Sequence, residues 1–315
     1  MQLMKKEEIR SLIEELAHEL TEELAYQFVE SLVREIDGDS DWIKSGRELY
    51  YRVGRELYGP LLAECIQWVW RRRQEIGNLP VFIVLRDAEP LAVAARNLGL
   101  DFTTLYLNRP LFGVFDEIAD GNEIEMGKRS ASLLPRYLTQ IGLLKHDKLI
   151  LLDSGCWGTV VKVLKEKYMQ NKKLYPFFWY SHNLYIPGFL NQLAAGRIPD
   201  KILETINDSL ECVFPKRVKR PVTLIGDKNI TKLMLEPTST LSQTWGAAAL
   251  RGVADAARNY SRENRINALE TLEHLRKLSQ EAKQTGNFTG VLPKNTPTWS
   301  KGTDFLADWP KDFLP

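Results

Sequence analysis

Apolar residues in the first third of the chain recur at steps of three and four, which is the spacing of one helical face. In residues 1–37 this face consists of Ile9, Leu12, Ile13, Leu16, Leu20, Leu24, Phe28, Leu32 and Ile36. After a polar break, residues 42–58 and 60–76 predict two more helices, separated at Gly59-Pro60. The pattern therefore predicts a helical N-terminal region over residues 1–77.

Short strand-like runs replace the helical spacing after residue 77, and the first of them, residues 81–85, is continuously apolar. These runs occupy residues 81–85, 103–107, 149–152 and 174–180. Such runs are typical of strands that are buried on both faces. Helical patterns lie between them, at 91–99, near 130–142 and at 160–168. The alternation predicts an α/β core over residues 78–185.

Patterns beyond residue 185 are weaker. Residues 186–244 are interpreted as a continuation of the core, with strands predicted within 200–226. Residues 245–284 predict a C-terminal helical region, and residues 285–315 predict an extended tail rich in proline and aromatic residues. The predicted fold class is α/β, with a Rossmann-like, mostly parallel sheet and helical N-terminal and C-terminal extensions.

The charge balance excludes one broad class of function. Lys and Arg total 42 against 41 Asp and Glu, so a globally basic nucleic-acid-binding protein is excluded.

Three cysteines without a CxxC pair indicate a reducing compartment. No apolar run reaches the roughly 18 residues of a membrane span, and the first residues lack the apolar stretch of a signal peptide. We therefore expect a cytoplasmic protein without a membrane partner.

Polar and charged residues follow three of the predicted strands at the point where each strand ends. They are Arg86, Asp87 and Glu89 after the first, Asn108 and Arg109 after the second, and Asp153, Ser154 and Gly155 after the third. Gly158 and Thr159 then open the next predicted helix. Because ligands of open parallel sheets bind beyond the carboxyl ends of the strands, these residues predict one site.

The residue types at this site favour a phosphorylated ligand. Asp87 and Asp153 are the predicted catalytic groups, and with Glu89 they are the predicted ligands of a Mg²⁺ ion, which prefers carboxylate oxygens. Arginines and the backbone N–H groups at a helix N-terminus both suit phosphate. The predicted substrate-binding residues are therefore Arg86, Asn108, Arg109, Ser154, Gly155, Gly158 and Thr159.

Structural roles compete with this interpretation. An aspartate at the end of a strand, such as Asp87 or Asp153, is often only a helix N-cap, and a nearby arginine then neutralises it in a structural ion pair. Cys156, near a helix start, is either a nucleophile or a packed thiol. The four histidines show no metal-ligand spacing, although His182 follows the fourth predicted strand. A basic run at 216–220 is interpreted as a solvated face, so nucleic acid is not an expected partner.

Four segments between residues 58 and 159 match a known pattern in order. They are YGPLL (58–62), VFIVLRDAEP (81–90), LYLNRPL (105–111) and LILLDSGCWGT (149–159). They resemble GPLL, ARDG, Y-x-SR and VDIGWxGT of bacterial proteins labelled HAD-superfamily-like, which are often joined to glycosyltransferases. The resemblance implies a Rossmann-like fold. Where a HAD phosphatase carries a DxD motif that supplies nucleophile and acid/base, this chain carries Asp87-Ala88-Glu89.

The same region also resembles a second family in its layout. The segments LRDAEPLAVAARNLG (85–99), 110–147 and ILLDSGCWGT (150–159) are similar to the pyrophosphate loop, the mobile hood and the ribose-phosphate loop of a type I phosphoribosyltransferase. The resemblance implies binding of phosphoribosyl pyrophosphate. Asp153 would then contact the ribose hydroxyls and Thr159 the 5′-phosphate.

Three functional hypotheses remain open at this point. In the first, the protein is an enzyme that binds a sugar phosphate or a nucleotide and, with Mg²⁺, hydrolyses or transfers its phosphate group. In the second, it is a phosphoribosyltransferase-like transferase. In the third, it is a non-catalytic binding or assembly module whose N-terminal helix and aromatic tail dock partners or another copy of the chain.

Overall fold

In the computed structural model, the four runs predicted as strands between residues 81 and 180 form strands. These are β1 (Val81–Leu85), β2 (Thr103–Tyr106), β3 (Lys148–Asp153) and β4 (Lys173–Phe178). The side chains over 81–84 and 149–152 are all buried. Burial on both faces of the sheet explains why these runs are continuously apolar rather than alternating.

The structure describes most of the chain between residues 48 and 277. The described residues are 48, 50–85, 87–107, 109–112, 121–155, 158–182, 186–214, 223–226, 231–234, 240–260 and 268–277. The predicted helix over 1–37, the basic run at 216–220 and the predicted tail over 285–315 lie outside them.

Helices precede, separate and follow the strands. They are α1 (Gly59–Glu75), α2 (Glu89–Asn97), α3 (Gly121–Gln140), α4 (Thr159–Tyr168), α5 (Phe189–Ala194), α6 (Asp200–Val213) and α7 (Thr240–Arg258). Residues 268–277 are also helical. Within the described residues, no helix is long and apolar enough to cross a membrane.

The four strands form one parallel sheet in the order β2-β1-β3-β4. Val81 pairs with Ile150 and Ile83 with Leu152, so β1 and β3 are hydrogen-bonded neighbours in the centre. The predicted α/β fold with a mostly parallel sheet is confirmed at this level.

The direction in which successive strands are added to the sheet reverses between β1 and β3. From β1 the chain moves outward to β2, whereas from β3 it moves outward to β4 on the opposite side. Because such crossovers are almost always right-handed, we expect α2 and α4 to cover opposite faces of the sheet. The crevice between the carboxyl ends of β1 and β3 is therefore the topological switch point of the sheet.

The predicted interruption at Gly59-Pro60 is wrong. A π-helical turn over Val53–Tyr58 runs directly into α1, and Gly59 has helical dihedral angles (φ −57°, ψ −49°). The N–H of Gly59 bonds to the carbonyl of Gly54, five residues back. In an α-helix the ring of Pro60 would crowd the carbonyl four residues earlier, and the wider π-helical turn gives the ring room without ending the helix.

The strands predicted within 200–226 are only partly present. Residues 200–213 form α6, because Ile202, Ile206 and Leu210 are buried at steps of four and give one helical face. Strand β5 (Thr223–Gly226) pairs antiparallel with β6 (Thr231–Met234) in a separate two-stranded sheet.

The chain divides into two compact units. One comprises Met1–Glu64, Asn191–Pro215 and Thr244–Trp309. Within it α7 lies very close to the π-helical turn, since a Cβ added at Gly252 would overlap the carbonyl oxygen of Tyr51. The hydroxyl of Tyr51 also donates to Asp255 at 2.9 Å.

The other unit comprises Cys65–Leu190, Lys216–Gln243 and Pro310–Pro315 and contains the parallel sheet. In this unit the β5–β6 hairpin lies against α3. The N–H of Leu224 donates to the buried hydroxyl of Ser130 at 3.0 Å, and the N–H of Thr231 donates to the side-chain oxygen of Gln140 at 3.1 Å. Two polar side chains of α3 thus satisfy backbone donors of the hairpin.

Candidate functional site

The carboxyl ends of β1 and β3 bring the predicted acidic residues to one edge of the sheet. Asp87 stands two residues beyond β1, and Asp153 is the last residue of β3. Since β1 and β3 are parallel and hydrogen-bonded, both residues lie at the switch point. We call this edge, formed by the carboxyl ends of the four strands, the carboxyl rim.

Asp87 connects β1 to α2 and is half-buried. Its Oδ1 atom is shielded from solvent. Ala88 occupies the N-cap position of α2, and Glu89, also half-buried, is the first residue of that helix. Asp87 therefore does not occupy the N-cap position that the structural interpretation assigned to it.

The carboxylate of Asp153 lies close to Gly155, two residues further along the chain. A Cβ added at Gly155 would lie 3.3 Å from Oδ2 of Asp153, closer than most such contacts. Ser154, between them, is 5% exposed. The absence of a side chain at Gly155 thus leaves room for the carboxylate, and Asp153, like Asp87, is not the N-cap of the next helix.

The N-cap of α4 is Gly158, which adopts a left-handed conformation (φ 74°, ψ 16°). Its carbonyl accepts the N–H of Lys162 at 2.9 Å, and Thr159 is the first residue of the helix. The first turn of α4 contains no acidic residue, and a helix N-terminus presents N–H groups and the positive end of the helix dipole. These features favour an anion.

On the other side of β1, the carboxyl end of β2 leads to a 3₁₀ turn over Arg109–Phe112. The N–H of Tyr106, the last residue of β2, donates to the hydroxyl oxygen of Tyr137 on α3 at 2.9 Å. Burial raises the pKa of Tyr137 to about 12. The ammonium group of Lys167 on α4 donates to the carbonyl of Phe112 at 3.3 Å. Helices α3 and α4 thus hold the main chain around Arg109.

Some predicted residues lie outside the described part of the chain. These are Arg86, Asn108 and Cys156, and for Arg109 only the main chain is described. Their predicted roles stay predictions.

The described residues contain no group of three or more His, Cys, Asp or Glu side chains arranged to hold a metal ion. Asp87, Glu89 and Asp153 are therefore not gathered into a three-ligand cage. Mg²⁺ commonly binds through one or two carboxylates together with substrate phosphates and water. Any Mg²⁺ ion held by these carboxylates would need that second arrangement.

Tyr180 and His182, which follow β4, were not among the predicted site residues. The Tyr180 hydroxyl lies 3.2 Å from Nδ1 of His182, and Tyr180 is fully buried. Strand β4 is the neighbour of β3 in the sheet, with Phe178 paired to Asp153. The sequence signal available for His182 was its position just after the fourth predicted strand. Nothing in the sequence distinguished Tyr180 from a core aromatic residue.

Comparison with known proteins assigns no role to these residues. No protein-family model matches the chain, and no curated protein sequence matches it.

Proposed function

We propose that the protein binds a phosphorylated metabolite at the carboxyl rim and catalyses hydrolysis or transfer of its phosphate group. The observation that carries this proposal is the strand order, which reverses between β1 and β3. Asp87 follows the first of these strands and Asp153 ends the second. A Rossmann-like fold with helical extensions is part of the proposal, since such folds bind ligands at this crevice.

The phosphate is assigned to the N-terminus of α4. Gly158 opens the helix in a conformation that favours glycine, and the first turn carries no acidic side chain. An anion placed there gains the free N–H groups and the helix dipole together. Gly155, Ser154 and Thr159 complete the cradle, with Arg86, Asn108 and Arg109 assigned to the charged groups of the substrate.

We assign the carboxylates to the part of the site where the reaction takes place. Asp87 serves as nucleophile or metal ligand, and Asp153 as the second metal ligand, with Glu89 beside Asp87 at the start of α2. A Mg²⁺ ion held by these carboxylates and by the substrate would neutralise phosphate charge. The protein would then supply mainly positioning and electrostatic stabilisation, which dominate phosphoryl transfer.

One observation favours phosphoribosyl transfer as a second candidate. The carboxylate of Asp153 lies over Gly155 within its own loop, where it would meet a sugar whose phosphate occupies the N-terminus of α4. In this candidate Asp153 contacts ribose hydroxyls and Thr159 contacts the 5′-phosphate. The two candidates share the phosphate position and differ in the role of Asp87.

A ligand-binding screen tests the shared part. Thermal unfolding is measured with Mg²⁺ alone and with Mg²⁺ plus inorganic phosphate, ribose 5-phosphate, phosphoribosyl pyrophosphate or a nucleoside monophosphate. A ligand present at a hundred times its Kd stabilises the folded state by about 2.7 kcal/mol. We expect this stabilisation to disappear in Asp153→Asn and to persist in Asp147→Asn. Asp147 is a matched control, because it is exposed at the opposite end of the same strand.

Measurements of substrate turnover distinguish phosphate hydrolysis from phosphoribosyl transfer. Release of phosphate from an aryl phosphate, abolished in Asp87→Asn, supports hydrolysis. Magnesium-dependent consumption of phosphoribosyl pyrophosphate that survives in Asp87→Asn supports the transferase. If no phosphorylated compound shifts the unfolding temperature, both candidates are wrong and a non-catalytic binding or assembly module is favoured.

A further inference from the structure

The amino edge of the parallel sheet, opposite to the carboxyl rim, carries four lysines that come from two neighbouring strands. Lys145 ends the 3₁₀ turn that precedes β3, and Lys148 is the first residue of that strand. Lys172 directly precedes β4, and Lys173 is its first residue. We call these four residues the lysine edge. Its role does not depend on the proposed phosphate site, because Asp153 stands at the other end of β3.

Lys172 has a structural role. Its ammonium group donates to the carbonyls of Leu144 and His146, and it lies 3.8 Å from the carboxylate of Asp147. These contacts tie the start of β4 to the turn before β3. The positive charge that is open to a partner therefore belongs to the other three lysines, which are all exposed.

Lys148 and Lys173 stand next to each other across the strand pair. They are in register on β3 and β4, and neighbouring strands lie about 4.8 Å apart, so both side chains leave the same face of the sheet. The Lys173 ammonium lies 5.1 Å from the centroid of the Tyr175 ring, a contact that stabilises a cation without cancelling its charge. Ammonium groups on such neighbouring positions repel each other.

The charge of these lysines is not balanced within the described part of the chain. There, none of Lys145, Lys148 and Lys173 forms an ion pair with an acidic side chain. The acidic residue between the first two, Asp147, pairs with Lys172 instead. The lysine edge therefore has an excess of positive charge that an acidic segment from outside would neutralise.

The chain also contains a stretch of the opposite charge. Residues 7–30 include eight glutamates and one arginine, with no aspartate and no lysine. The whole chain is nearly neutral, with 42 Lys and Arg against 41 Asp and Glu, so the remaining residues carry a positive excess. Residues 7–30 lie outside the part of the chain that the structure describes. Their charge is complementary to that of the lysine edge.

We propose that the lysine edge binds residues 7–30 of a second copy of the chain. Glutamates at several positions along this stretch neutralise Lys145, Lys148 and Lys173 together. Each exposed ion pair contributes little, so several must form at once, and salt weakens all of them. When both copies bind in the same way, the result is a closed dimer with twofold symmetry.

An acidic segment of a protein fits this surface better than a nucleic acid does. Binding of a nucleic acid depends on neutralising many phosphates along an extended basic track. The lysine edge is instead a compact cluster at the start of two adjacent strands. Lysine acts as a point charge, which suits single carboxylates spaced along a glutamate-rich stretch.

Sedimentation velocity of the full-length protein measures the association. We expect a dimer at an ionic strength of about 0.05 M that dissociates at about 0.5 M, where charges are screened within a few ångströms. The double variant Lys148→Gln, Lys173→Gln should weaken the dimer several-fold to about tenfold. The control is Lys128→Gln with Lys201→Gln, which removes the same charge from exposed positions on α3 and α6. It should dimerise as the wild type does.

Charge reversal on both sides tests the contact itself. One variant carries Lys148→Glu and Lys173→Glu, and the other carries Glu14→Lys, Glu15→Lys and Glu22→Lys. Each variant alone should be monomeric at low ionic strength. An equimolar mixture should dimerise, because each reversed surface then meets its opposite charge on the other variant.

Crosslinking of the wild type needs no substitution, so a variant that fails to fold does not obstruct it. A carbodiimide joins lysine amines to glutamate carboxylates that are in contact. In an equal mixture of ¹⁴N and ¹⁵N protein, we expect peptides that contain Lys148 or Lys173 to be joined to peptides from residues 7–30 of the other isotope. Such mixed pairs arise only between two copies.

Four results would overturn the proposal. They are a wild type that stays monomeric at low ionic strength, equal dimerisation of the lysine variant and its control, a mixture of reversed variants that stays monomeric, and crosslinks confined to peptides of one isotope. Binding of a single-stranded oligonucleotide by a monomeric wild type, lost in Lys148→Gln with Lys173→Gln, would assign the lysine edge to nucleic acid instead.

Discussion

Removing the hydroxyl of Tyr137 tests how the carboxyl end of β2 is held. This hydroxyl accepts the N–H of Tyr106, the last residue of β2, at 2.9 Å, and the side chain is 5% exposed. Tyr137→Phe keeps the ring and removes the hydroxyl that accepts this N–H. Loss of a buried partner costs about 1–3 kcal/mol of folding free energy. We expect a loss of that size at pH 8.

The pH dependence of this loss follows from the pKa of Tyr137, which burial raises from 10.0 to about 12. Each pKa unit corresponds to 1.36 kcal/mol, so the folded state favours the neutral phenol over the phenolate by about 3 kcal/mol. A raised pKa in the folded state contributes stability that is present in full below pH 10. That contribution is lost as the pH rises from 10 to about 12. Phenylalanine cannot ionise, so the advantage of the wild type over Tyr137→Phe should shrink across this window.

Urea unfolding of both proteins between pH 8 and 11.5 measures this difference directly. Comparing wild type with variant cancels the other tyrosines and lysines that titrate in the same range. Absorbance at 295 nm should show one phenol fewer ionising near pH 12 in the variant. A difference in unfolding free energy that stays constant up to pH 11.5 would refute the assignment of a buried, neutral Tyr137. Equal stability at pH 8 would refute the role of its hydrogen bond.

Two glycine substitutions give further predictions. Gly158→Ala and Gly99→Ala both place a side chain at a left-handed backbone (φ 74° and 69°), so each should lower stability by about 1–2 kcal/mol. Only Gly158→Ala should also weaken phosphate binding, and equal binding by both variants would contradict the cradle at α4. Gly252→Ala would drive its Cβ into the carbonyl of Tyr51. Thermal unfolding should show a loss of about 1–3 kcal/mol or more, and an unchanged unfolding temperature would mean that α7 is not tightly held.

The strands could be predicted because the pattern that identifies each of them lies within a few consecutive residues. A run such as 149–152 is apolar at every position, and only burial on both faces explains it. The sequence analysis predicted strands within 200–226 and missed helix α6, although its buried residues Ile202, Ile206 and Leu210 recur at steps of four. The Gly59-Pro60 pair was read as a break, since the π-helical turn that accommodates it depends on packing rather than on local propensity.

The sequence predicted which residues of the candidate site follow a strand, but not which of these strands are neighbours in the sheet. Sequence alone placed Asp87 and Asp153 after two different strands, and the distance between those strands depends on their order in the sheet. The order in turn depends on which edge each crossover reaches, and that is decided by packing across many residues. The contact of Tyr180 with His182 could not be predicted, because it depends on how the chain packs beyond β4.

The strand order has a chemical consequence for the rim as a whole. If β3 had added beyond β2, the ends of β1 and β3 would stand two strand spacings apart, roughly 10 Å. With β3 beside β1 they are one spacing, about 4.8 Å, apart, and the ends of β2 and β4 flank them. Across the sheet the rim then runs from Arg109 through Asp87 and Asp153 to His182. Asp87 and Asp153 follow the two central strands, and Arg109 and His182 follow the two outer ones. The strand order alone therefore decides that these four residues come from neighbouring strand ends, which is the condition that the proposed function requires.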